Sequence, residues 1–105
     1  MKFEATKYIA IPVNHYKEAL DFYENVMNME IKKTNKHETE FKSGELTIFI
    51  EDNPENNVLL EFRVEDIETA KQDLMRAGCQ ITQEYGDKSI LINDPYGMNF
   101  HLFQE

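Results

Sequence analysis

The chain has 105 residues, 41% of them hydrophobic and 11% aromatic, which fits one folded domain, or two half-domains sharing a core, and not a disordered chain. The formal net charge of −9 argues against nucleic acid and anionic membrane as partners, since both demand a basic footprint. It suits a cationic ligand, or simply a soluble surface.

The first strand is expected over residues 7–13, with Ile9, Ile11 and Val13 on one face and Tyr8, Ala10 and Pro12 on the other. Pro12 has no N–H, which places that strand end at an edge or just outside the ladder. A helix follows, with Ala19, Phe22, Tyr23 and Val26 on its apolar face, Asn14 or His15 as its cap, and Asn28 as its left-handed stop. Three strands are expected at 29–34, 38–42 and 45–51, turned by Asn35-Lys36 and Ser43-Gly44. Residues 52–57 hold no hydrophobe and read as a linker.

A second strand-helix unit spans 58–77, capped by Asp66 and closed by Gly78, with Ile67, Ala70, Leu74 and Ala77 as its buried stripe. Strands at 80–85, 88–93 and 98–103 follow, with turns at Gly86-Asp87 and Asp94-Pro95-Tyr96-Gly97. Cys79, leaving a helix for a strand, is a small filler with no internal disulfide partner. No apolar run approaches the roughly 20 residues that span a bilayer. The opening Met-Lys-Phe-Glu-Ala-Thr-Lys lacks a signal peptide's apolar stretch, so cytoplasm is the expected location.

The two halves repeat. Shifted by 51 positions, Ile9, Ile11, Val13, Ala19 and Tyr23 fall on Leu60, Phe62, Val64, Ala70 and Leu74. The expected fold is α+β: one domain over 1–105, built of two βαβββ modules at about 1–52 and 58–105, with a curved mixed sheet around a cleft and helices outside.

Three segments carry a resemblance: Ala19-Leu20-Asp21-Phe22-Tyr23, then Arg76-Ala77-Gly78, then the tail from Asp94-Pro95-Tyr96-Gly97 through His101 and Leu102. In this order they resemble the vicinal oxygen chelate superfamily of glyoxalase, bleomycin-resistance and extradiol dioxygenase proteins, over nearly the whole chain. The resemblance implies the paired βαβββ modules and, in metal-using members, four His, Glu or Gln side chains holding a divalent ion for Lewis-acid chemistry. The corresponding positions here are Tyr8, Phe49, Leu59 and His101. Leucine and phenylalanine have no donor atom, and a phenol is a poor ligand near neutral pH. The usual metal site is therefore expected to be lost, with no cofactor. A displaced site is conceivable from His101, Glu51 and Glu61, since each glutamate lies two residues, about 6.6 Å, along its strand from a usual position. Carboxylates at a solvated rim are the plainer account.

With the helix-facing side as core, alternation puts Tyr8, Thr47, Phe49, Leu59, Glu61, Arg63, Asn99, His101 and Phe103 on the other face. That apolar, aromatic set with a few polar groups is the composition of a small-molecule site, or of a filled cleft. His101 is the candidate for general base or ligand contact, held by Glu61 or Tyr8. Arg63 beside Glu61 suggests a cross-strand pair. His15 and His37 belong to a cap and a hairpin.

Three functions stay open. The first is a metal-independent protein binding a small organic ligand. The second is a divalent-metal glyoxalase-like lyase, isomerase or dioxygenase-type enzyme. The third is an interaction module with its cleft filled. A homodimer is expected, because relatives commonly dimerise and two-fold pairing is the commonest assembly.

Overall fold

Period-two alternation and helically spaced apolar residues each find their element. The structure, a computed structural model, describes residues 1–53 and 57–105. The strands are β1 (Glu4–Val13), β2 (Glu30–Thr34), β3 (Glu38–Ser43), β4 (Leu46–Asp52), β5 (Leu59–Val64), β6 (Gln80–Glu84), β7 (Ser89–Asn93) and β8 (Asn99–Gln104). Helix α1 (Tyr16–Asp21), continued by a π-helical turn (Phe22–Val26), follows β1, and α2 (Ile67–Arg76) follows β5. The class is α+β, with strand, helix and three strands given twice. The chain forms two compact units, Lys7–Val58 and Met1–Thr6 with Leu59–Glu105.

In the unit Lys7–Val58 the strands run in the order β2-β3-β4-β1, with β1 and β4 parallel and the other pairs antiparallel. Met29, Phe41 and Ile50 are buried, and Ile11, Val13, Ile31 and Ile48 pack with them. The helix covers this core with Tyr16, Ala19, Leu20 and Tyr23, a stripe at i, i+3, i+4 and i+7. The expected stripe is thus corrected: Phe22 and Val26 are 47% and 66% exposed. The stripe is set by Tyr16, whose hydroxyl reaches Thr39 Oγ1 at 2.7 Å and the Asn35 carbonyl at 3.0 Å. The π turn, closed by Met27 N–H donating to the Phe22 carbonyl at 3.1 Å, then leaves Val26 off the core face. Asn28 ends the segment at φ 54°.

The other unit orders its strands β5-β8-β7-β6, with β5 and β8 parallel. Val64, Ile67, Ala70, Ile90, Ile92, Phe100 and Leu102 form its buried core. Asp66 caps α2, its side chain accepting from the N–H groups of Glu68 and Thr69. Gly78, at φ +97°, closes it, a conformation that Cβ-bearing residues avoid. Cys79 packs half-buried against this core, and burial pushes its thiol pKa up, as befits a filler.

Other expectations are corrected. β1 begins at Glu4 rather than at residue 7, and Pro12 lies buried within its register, opposite Glu51. A parallel neighbour takes N–H donation only from alternate residues, so a proline is tolerated there. His15 precedes α1 without any side-chain capping bond. Ala77 is exposed, since α2 stops at Arg76. The middle of the expected 52–57 linker, residues 54–56, lies outside the described residues.

Candidate functional site

Along β8, Phe100 and Leu102 enter the core, so Asn99, His101 and Phe103 point to the face away from α2. The same alternation in β5 and β7 sends Leu60, Phe62, Ile90 and Ile92 inward and leaves Glu61, Arg63, Ser89 and Leu91 on that face away from α2. Register completes the row, with Glu61 opposite His101 across the parallel pair and Leu91 opposite His101 across the antiparallel one. Facing side chains in such pairs lie within contact range.

A continuous hydrogen-bond chain results. Thr6 Oγ1 donates to Glu61 Oε1 at 2.8 Å, Glu61 Oε2 lies 3.1 Å from His101 Nδ1, and His101 Nε2 lies 2.5 Å from Ser89 Oγ. An ionised carboxylate only accepts, so the ring carries its proton on Nδ1 and, when neutral, presents Nε2 as acceptor to the Ser89 hydroxyl. Phe103 stacks on the imidazole at 5.9 Å and 14°, and Tyr85 meets it edge-on at 6.4 Å. The side chains of His101 and Glu61 are 27% and 21% exposed, so water and small solutes reach a chain that packing nevertheless holds in place.

The remaining expected site residues divide between the units. In Lys7–Val58, Tyr8 lies tilted against Phe49 at 5.8 Å with Lys7 Nζ 5.4 Å from its ring, and Thr47 is buried. Glu51 lies in the same unit, opposite Glu38. Burial and then the facing Glu38 raise its pKa above the usual glutamate value. In the other unit Leu59 is half-buried, and Asn99 accepts from Asn93 Nδ2 at 2.9 Å. Arg63 does not pair with Glu61; it lies 3.6 Å from Glu105 and 4.0 Å from Glu4, lining an open hollow of ≈ 570 Å³ with Lys2, Glu65 and Gln104. Glu61 is spoken for by Thr6 and His101, which leaves Arg63 to the carboxylates near the chain ends.

Sequence reasoning missed Ser89, Thr6 and Tyr85. Ser89 was within reach: Ile90 and Ile92 are inward, so Ser89 shares the His101 face, and the Asp94–Gly97 turn sets β7 beside β8. Thr6 depended on β1 starting earlier than its apolar alternation does.

The same positions are poor in metal donors. Leu59 and Phe49 offer no lone pair, and both ring nitrogens of His101 are engaged, by Glu61 and Ser89. Among the described residues no three His, Cys, Asp or Glu side chains gather so as to hold a metal ion. The residues at the family positions do not fit the family's metal site.

Comparison with curated proteins finds no match. Solved structures do match in fold. A glyoxalase/bleomycin resistance protein/dioxygenase superfamily member from Vibrio splendidus 12B01 superposes with a TM-score of 0.72 at 15% identity, covering 99% of this chain and 100% of that one. Homoprotocatechuate 2,3-dioxygenase from Arthrobacter globiformis gives 0.74 at 18% identity, covering 99% of this chain and 37% of that one. The Mn(II)-bound glyoxalase from Novosphingobium aromaticivorans gives 0.70 at 15% identity, covering 98% and 40%. The chain thus spans well under half the length of these two enzymes. A sequence profile of the Glyoxalase/Bleomycin resistance protein/Dioxygenase superfamily matches residues 6–102, and the chain belongs to that superfamily.

Proposed function

We propose that this chain binds a small organic molecule on the sheet face around His101 that points away from α2, without a metal. One observation carries the reading: the only metal-competent side chain among the four family positions has its ring nitrogens committed to Glu61 and Ser89, while Phe103 and Tyr85 flank it with aromatic surface. An aromatic wall beside a few polar groups is the composition of a ligand site. The net charge of −9 favours a cationic ligand over an anionic one. We further propose a cytoplasmic homodimer, the commonest two-fold assembly.

Calorimetric titration with manganese, nickel, zinc and iron(II) should show no stoichiometric uptake. A thermal-shift screen of aromatic cations should give a ligand whose affinity falls about 2- to 13-fold in Phe103→Ala, the loss of one aromatic contact of about 0.5–1.5 kcal/mol. Stoichiometric metal binding that disappears in His101→Ala overturns the reading, as does a screen without any ligand. Sedimentation showing only a 12.4 kDa species at micromolar concentration rejects the dimer.

A further inference from the structure

We propose that Ser89 is a nucleophile, activated by His101 and Glu61 to take the acyl group of a small carboxylic ester. The order of contacts is the ground for it. Carboxylate meets Nδ1 at 3.1 Å and Nε2 meets the hydroxyl at 2.5 Å, so the serine proton faces a basic lone pair while the opposite ring edge faces an anion. Thr6 fixes the far carboxylate oxygen at 2.8 Å, and stacking on Phe103 fixes the ring plane. Neither residue is asked to move during the reaction. The inference rests on this chain of atoms and not on the ligand reading above.

The steps balance without any further cofactor. Ser89 Oγ attacks the ester carbonyl carbon, and as the new C–O bond forms its proton passes to His101 Nε2. Glu61 stabilises the imidazolium through Nδ1–H. The tetrahedral adduct collapses, the bond to the leaving alcohol oxygen breaks, and that oxygen takes the proton from Nε2. Water then attacks the acyl-serine with His101 as its base, releasing the carboxylic acid and restoring the serine hydroxyl. His101 and Ser89 touch the reacting atoms; Glu61 is a positioning residue.

The test uses the full chain and p-nitrophenyl acetate. A burst approaching one p-nitrophenolate per chain is expected, with the acetyl group mapped to Ser89 by peptide mass spectrometry. Ser89→Ala should abolish the burst, and His101→Ala should slow it by about 100-fold or more, the usual worth of a positioned general base. Mapping on the unmodified chain stands whether or not a variant folds. Acetyl found only on lysines or on His101, or a burst unchanged in folded Ser89→Ala, overturns the proposal.

Discussion

Replacing Glu61 by glutamine isolates the charge at the centre of the Thr6–Glu61–His101–Ser89 chain. The amide keeps the shape: its oxygen can accept from His101 Nδ1–H and its NH₂ can donate to Thr6 Oγ1, so both contacts, now 3.1 and 2.8 Å, survive as neutral bonds. Bonds to charged groups contribute about 1.5–3 kcal/mol and neutral ones about 0.5–1.5 kcal/mol. With the two side chains 21% and 27% exposed, solvent screening trims the difference to about 1 kcal/mol for the pair. In a domain of this size that is a fall of about 4–8 °C in Tm. The imidazolium formed during acylation feels the lost carboxylate more than the neutral ring does, so Ser89 acylation slows by at least about fivefold. Thermal unfolding followed by circular dichroism and burst kinetics on one preparation read both numbers, and a ¹⁵N spectrum of the imidazole reports its tautomer. A variant with wild-type Tm and a wild-type burst rate would refute the claim that the charge of the carboxylate stabilises the ring.

Two further outcomes are expected. The raised pKa of Glu51, caused first by burial and then by Glu38, is a contribution to stability that is complete below the unfolded value of about 4.3 and lost as pH rises through the higher folded value. Glu51→Gln should therefore gain urea resistance over wild type at pH 8 relative to pH 4; a difference that stays constant with pH contradicts the assignment. Leu102 is fully buried, in register with Phe62 on one side and Ile90 on the other. Leu102→Ala should cost about 2–5 kcal/mol in equilibrium unfolding, and a loss under about 1 kcal/mol would mean that this core collapses around the cavity.

Much of this was legible in the sequence because it is written in periodicity. The alternation of Phe100, His101, Leu102 and Phe103 fixes which side of β8 faces α2, and Asp66 and Gly78 bracket α2 with cap chemistry that acts through the neighbouring backbone. The α1 stripe was misread because two interleaved sets, Tyr16-Ala19-Leu20-Tyr23 and Ala19-Phe22-Tyr23-Val26, fit helical spacing equally well. The choice between them is made by a tertiary bond, Tyr16 to Thr39, that no local pattern contains. Glu61 beside His101 could be foreseen from strand pairing. Arg63 could not be assigned, because Glu4 and Glu105 compete for it from the two chain ends.

The repeated strand lattice lets equivalent positions be compared within one chain. By register, Glu61 opposite His101 corresponds to Ala10 opposite Phe49, and Ser89 opposite Phe103 corresponds to Glu38 opposite Glu51. Where the later copy sets a hydroxyl in line with a base and an acid, the earlier copy sets an aromatic ring and two mutually repelling carboxylates. The same strand lattice thus occurs twice, and at these equivalent positions the two copies carry different chemistry. Grafting Ala10→Glu, Phe49→His and Glu38→Ser would ask whether the lattice alone suffices to build the proton chain a second time.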